Sequence, residues 1–148
     1  MSYSSIEVSY KIIASINYNQ GETISNLKLQ KILYYMQGFF IAVFNKKFFN
    51  QPIEAWQYGP VVPQAYFYFN TFGSNGITLN GNEKIIELTN AEAELFNNVM
   101  DEYGQFSAVK LMSMTHEELP WKKTFNTNPK GEITFELMKE FFSTQIVA

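Results

Sequence analysis

His116 is the one histidine of the chain, and it stands beside Glu117 and Glu118 in the run LMSMTHEELPW, residues 111–121. An imidazole next to a carboxylate is the pairing that general acid–base catalysis uses. The plainer reading is stronger: a lone histidine at a helix end, followed by Pro120-Trp121, more often cements a corner by packing and hydrogen bonds, and no nucleophile pattern or second ligand cluster accompanies it. The chain has no HExxH, no Cys and neither of the glycine-rich phosphate-loop patterns, so zincin-type metal sites, thiolate chemistry and nucleotide binding have no motif behind them. No catalytic residue, metal or cofactor is expected.

Two other groups of polar and aromatic residues carry spacing worth reading. Lys28, Gln30, Lys31, Tyr34 and Gln37 recur within an otherwise apolar run. Such residues are usually a solvated helix face, although on so apolar a segment they can also hydrogen-bond a neighbouring corner or a partner. EAWQYGPVVPQAY, residues 54–66, gathers Trp56, Tyr58 and Tyr66 around Gly59-Pro60. The ring of Pro60 fixes φ, which makes the turn stiff. It is read either as a structural corner or as an aromatic patch that binds protein, since Trp and Tyr dominate binding hot spots.

The elements that must position these residues follow from periodicity. From residue 27 to about 45, Leu29, Ile32, Leu33, Met36, Phe40 and Val43 recur every three or four residues, while Phe39, Ile41 and Phe44 widen the apolar surface. That pattern predicts a long central helix covered on several sides. Gly38 and Ala42 would admit a second backbone closely. A first helix, capped by Ser4 or Ser5, is expected to about Asn17, and an alternating strand over 52–58. A third helix runs from Val62 to about Phe72. Residues 77–88, with Asn80-Gly81 between two β-prone runs, read as a hairpin. Thr89 to Glu92 is a capping box opening a helix with Leu95, Phe96, Val99, Met100 and Tyr103 inward, and Ser107 starts another that carries Val109, Leu111 and Met112. The stretch TFNTNPKGE, residues 124–132, reads as a polar loop before a last helix over 134–144. The fold class is mainly α (α+β): a single compact domain, residues 1–148, of about six helices around a long central one, with a small β-sheet or hairpin.

Composition narrows the function classes. The net charge is −3 and every one of the 11 basic residues is a lysine, so nucleic-acid binding is disfavoured for want of guanidinium groups. The aromatic content is 17 %, with 9 Tyr and 2 Trp whose polar tips suit a half-wet protein interface. No signal peptide or membrane-spanning run is visible, and a soluble, cytoplasmic protein is expected.

Taken in order and spacing, KLQKILYYMQG (residues 28–38), EAWQYGPVVPQAY (54–66) and THEELPW (115–121) resemble the Panacea domain of SocA-like and GepA-like phage-associated proteins. The resemblance covers nearly the whole chain, which looks like a stand-alone domain. It implies an antitoxin, in a bacterial or prophage genome, that neutralises a toxin encoded by an adjacent gene through direct protein contact, with a protease-adaptor role conceivable from some relatives. The family motifs fall on Lys28, Gln30, Lys31, Tyr35, Gln37 and Gly38, on Trp56, Tyr58, Gly59 and Pro60, and on His116, Glu118, Pro120 and Trp121. Of these, Gln30, Gln37, Gly38, Gly59, Pro60, His116, Glu118, Pro120 and Trp121 are expected to hold the fold. Trp56, Tyr58, Tyr66, Lys28, Lys31 and Tyr35 are the candidate partner-binding residues. The competing readings are a phage-associated, hydrolase-like enzyme using His116 and Glu118, and a transcriptional regulator.

Overall fold

The computed structural model describes residues 2–146. Among the described residues, seven α-helices and a three-stranded antiparallel sheet are brought together through a single helix, α2 (Asn26–Phe44). Ser25 caps its start by accepting from the Lys28 N–H, and Asn45 ends it in the left-handed region at φ 56°, donating back to the Ile41 carbonyl. An Asn tolerates that conformation better than most residues, so the helix stops where the sequence stops favouring it. Leu29, Ile32, Leu33, Met36, Phe40 and Ile41 are buried as the periodicity requires. Val43 is the exception. It is 47 % exposed and lines a surface groove with Phe39, Leu95 and Ile146.

Around α2 pack α1 (Ser5–Ala14), α3 (Pro63–Tyr68), α4 (Asn90–Tyr103), α5 (Ala108–His116) and α7 (Phe135–Ser143). Local signals place most of their ends. Ser4–Glu7 and Thr89–Glu92 form reciprocal capping boxes, Ser107 and Thr134 cap α5 and α7, and Pro63 occupies the first turn of α3. α1 runs on into a wider π-type turn over Ser15–Asn19. On α5 only Leu111 of the three expected apolar residues is buried, and Val109 is 65 % exposed. Gly38 meets no second backbone: the ring of Phe142 from α7 lies against it, where a Cβ would come within 2.2 Å.

β1 (Ile53–Trp56) pairs with β2 (Gly59–Val61) in a tight hairpin, Trp56 opposite Gly59, and on its other edge with β3 (Glu132–Ile133). Two expectations are corrected here. Residues 124–132 are not a polar loop throughout, because α6 spans Leu119–Thr127 and β3 follows it. Pro120 starts α6, the buried Trp121 anchors it, and Phe125 stacks on Trp121 at 4.6 Å. No hairpin forms over residues 77–88. The Asn17 side chain accepts from the Leu79 N–H and donates to the Ile77 carbonyl, and the Ile77 N–H donates to the Ile24 carbonyl. The backbone groups a partner strand would need are thus already paired, while Gly81, at φ 94°, keeps only the turn.

Candidate functional site

The polar residues of α2 are not a solvated face. Gln30, Lys31, Tyr34 and Gln37 are all buried. Each glutamine is used as a surrogate peptide unit. Gln37 accepts from the Phe48 and Phe49 N–H groups at 2.7 and 3.2 Å and donates to the Phe49 carbonyl at 2.7 Å. Two turns earlier, Gln30 accepts from the Val62 N–H at 2.9 Å and donates to Asn26, which in turn donates to the Tyr66 carbonyl. The stripe therefore satisfies backbone groups of the 48–49 loop, of the start of α3 and of its last turn. Lys28 ends on the Gly104 carbonyl at 2.7 Å, a cation at the C-terminus of α4.

Tyr34 and Tyr35 donate to the two carboxylate oxygens of Glu118 at 2.9 and 2.8 Å, and Tyr35 stacks on Tyr103 at 4.0 Å. Burial pushes the Glu118 carboxyl up to about 7, against the lowering effect of both hydroxyls. Glu118 thus joins α6 to α2. His116 lies elsewhere in the corner, its ring stacked on Trp121 at 4.1 Å and hydrogen-bonded to the Gln57 backbone, with Nε2 buried and unpartnered. Burial lowers its pKa, against the raising effect of the Gln57 backbone. Among the described residues no hydrogen bond links His116 to Glu118, and each serves a different packing contact. Trp121 completes the corner by donating from Nε1 to the Trp56 carbonyl at 2.7 Å.

On the outer side of this corner lies a groove of about 570 Å³. Trp56, Tyr58 and Tyr66, grouped in the sequence reading, are brought together in its wall, with Trp56 and Tyr66 edge to face at 5.2 Å. Phe67, 62 % exposed, packs on both at 6.0 and 5.3 Å, and Tyr58 is also 62 % exposed. Lys31 forms part of the floor, its Nζ 3.3 Å from the Pro60 carbonyl and its stem against Gly59, where a Cβ would fall 2.6 Å from Cε. Gly59 stands at φ 107°, so this residue serves both the turn and the lysine.

Of the six candidate contact residues, Lys31 is buried in the groove floor, Tyr35 is buried against Tyr103 and Glu118, and Lys28 reaches the Gly104 carbonyl at the end of α4. Lys130, absent from the sequence reading, reaches over the Trp56 ring at 5.3 Å. It sits in a polar stretch with no periodicity, and its place follows from the Lys130 N–H donating to the Ala55 carbonyl beside β1. Phe67 follows the aromatic stretch of residues 54–66 directly in sequence. Among the described residues no group of His, Asp or Glu is arranged to hold a metal, and no helix is long and apolar enough to cross a membrane.

Residues 29–122 match the family model described as antitoxin SocA-like, Panacea domain. Antitoxin SocA of Caulobacter vibrioides (strain NA1000 / CB15N) is 32 % identical over 109 residues, 66 % of this chain and 58 % of the relative. The chain therefore spans well under two thirds of that relative's length. No solved structure matches the chain significantly.

Proposed function

The chain belongs to the antitoxin SocA-like, Panacea domain family, and from that premise we propose that it is an antitoxin which neutralises a toxin by direct contact through the aromatic groove. The observation that carries the placement is the exposure of Tyr58 and Phe67 beside Trp56 and Tyr66. Two large aromatic side chains left in water next to a concave surface are costly for a free monomer and suit a partner's apolar side chains. The toxin is taken to be encoded next to this chain, in a bacterial or prophage genome, and handing it to a protease is a further role the family suggests.

The test is growth rescue. The neighbouring open reading frame is induced with and without this protein, and the pair is then co-purified. Rescue with a stable complex is the expected result, and toxicity that persists would sink the reading. The double variant Tyr58→Ala/Phe67→Ala should weaken the complex by roughly 10- to 100-fold. Because both rings are mostly exposed, its melting temperature should stay within about 2 °C of the parent's. Failure to alter affinity would move the contact surface elsewhere.

A further inference from the structure

Lys31 is the residue of the groove whose chemistry is unfinished. Its ammonium has three N–H donors and one acceptor, the Pro60 carbonyl, at the long distance of 3.3 Å. Burial lowers its pKa to about 7, with no acidic side chain counteracting it. The lining residues that carry charge are Lys31 and Lys130, both basic, on a chain whose net charge is −3. The nearest acid along β1, Glu54, is engaged by the Trp56 Nε1–H at 2.8 Å. Exposed apolar groups stand on both sides of the lysine, Leu27 one turn before it on α2 and Tyr58 on the hairpin.

We propose that the groove takes an acidic side chain of the partner protein, seated on the Lys31 ammonium and flanked by apolar residues that lie on Leu27 and Tyr58. The inference rests on the reading of the groove as the partner surface and adds the chemistry recognised there. In the free chain Nζ is closed off from water and held by one long bond. Rotation about the terminal bonds of the stem exchanges that bond for a carboxylate, and the incoming charge offsets the cost of keeping an ammonium buried. A residue within a chain fits better than a chain end, because apolar surface continues past the lysine in both directions. Lys130 adds a second, solvent-exposed charge that favours approach of the same partners.

The experiment titrates the full chain with three short peptides and follows the Trp56 indole and the amides of Gln57, Tyr58, Gly59, Val61 and Val62 by NMR. The peptides are acetyl-Ala-Leu-Glu-Leu-Ala-amide, its Gln counterpart, and acetyl-Leu-Leu with a free carboxylate. The expected result is binding of the Glu peptide at least about tenfold tighter than the Gln peptide, with the difference erased in Lys31→Met. Lys31→Gln serves as a second variant, since both keep the buried stem. Equal binding of the Glu and Gln peptides, or no binding of the Glu peptide at roughly millimolar concentration, overturns the inference. Tighter binding of the free-carboxylate peptide overturns it in favour of a chain terminus. Growth rescue separates it from the broader reading: if Tyr58→Ala/Phe67→Ala loses rescue and Lys31→Met keeps it, the groove stands and the carboxylate falls. If both variants keep rescue, the groove falls as well.

Discussion

Lys31 and Glu118 are two ionisable groups buried without an opposite charge, and their effects on stability run in opposite directions with pH. Lys31 titrates at about 7 in the fold against 10.5 when unfolded. Between those values the unfolded chain holds the extra proton, so stability rises with pH, and below about 7 the full cost of the buried ammonium is present. Glu118 titrates at about 7 against 4.5. Between those values the folded chain holds the extra proton, and stability falls as pH rises. Together the two groups favour a shallow minimum near neutrality. Urea melts of Lys31→Met should show a protein roughly 1–4 kcal/mol more stable at neutral pH, lacking most of the roughly 2 kcal/mol rise that Lys31 contributes between about pH 7 and pH 9. An unchanged pH profile would mean that Lys31 titrates alike in the folded and unfolded chain and stays an ordinary charged ammonium in the native state. Gln37→Ala has the opposite sign. It strands the Phe48 and Phe49 N–H groups and the Phe49 carbonyl, and should cost roughly 2–4 kcal/mol in the same assay.

At the scale of elements, the contact between α2 and α7 turns on Gly38. Gly38→Ala drives a methyl into the Phe142 ring and should cost roughly 1–3 kcal/mol despite the better helix propensity of Ala. Adding Phe142→Leu to Gly38→Ala should cost less than Phe142→Leu alone, a coupling that a double-mutant cycle of melting temperatures reads directly. Additive effects would show that the helices separate rather than clash. The ends of α1, α2, α4, α5 and α7 were legible because capping is a contact between residues three apart. α6 was not, since Thr124, Asn126 and Thr127 favour helix weakly and what holds them is Trp121 and Phe125 packing against other elements. The Asn80-Gly81 turn had the right local chemistry and lost its strands to Asn17, a separation of 60 and 62 residues being invisible to any short window. For the groove, the stiff aromatic turn could be read from residues 54–66. The burial of Lys31 could not, because a lysine among apolar residues has the same sequence signature whether it reaches water or not.

For the molecule as a whole, the core among the described residues is one connected cluster running from Val8 to Phe142 through α2. We expect a single cooperative transition in which far-ultraviolet circular dichroism and amide NMR report the same midpoint. Separated midpoints would show that the sheet corner melts apart from the helices. Phe40→Ala, which removes a ring stacked on Phe48 at 3.7 Å near the middle of that cluster, should cost roughly 3–5 kcal/mol and lower both probes together. Both tryptophans of the chain lie in one corner, Trp121 hydrogen-bonded to the carbonyl of Trp56, with His116 stacked on one indole and Lys130 over the other. All the indole emission of this protein therefore originates beside the groove. The unlabelled chain thus carries its own optical reporter, because a partner seated in the groove changes the surroundings of Trp56.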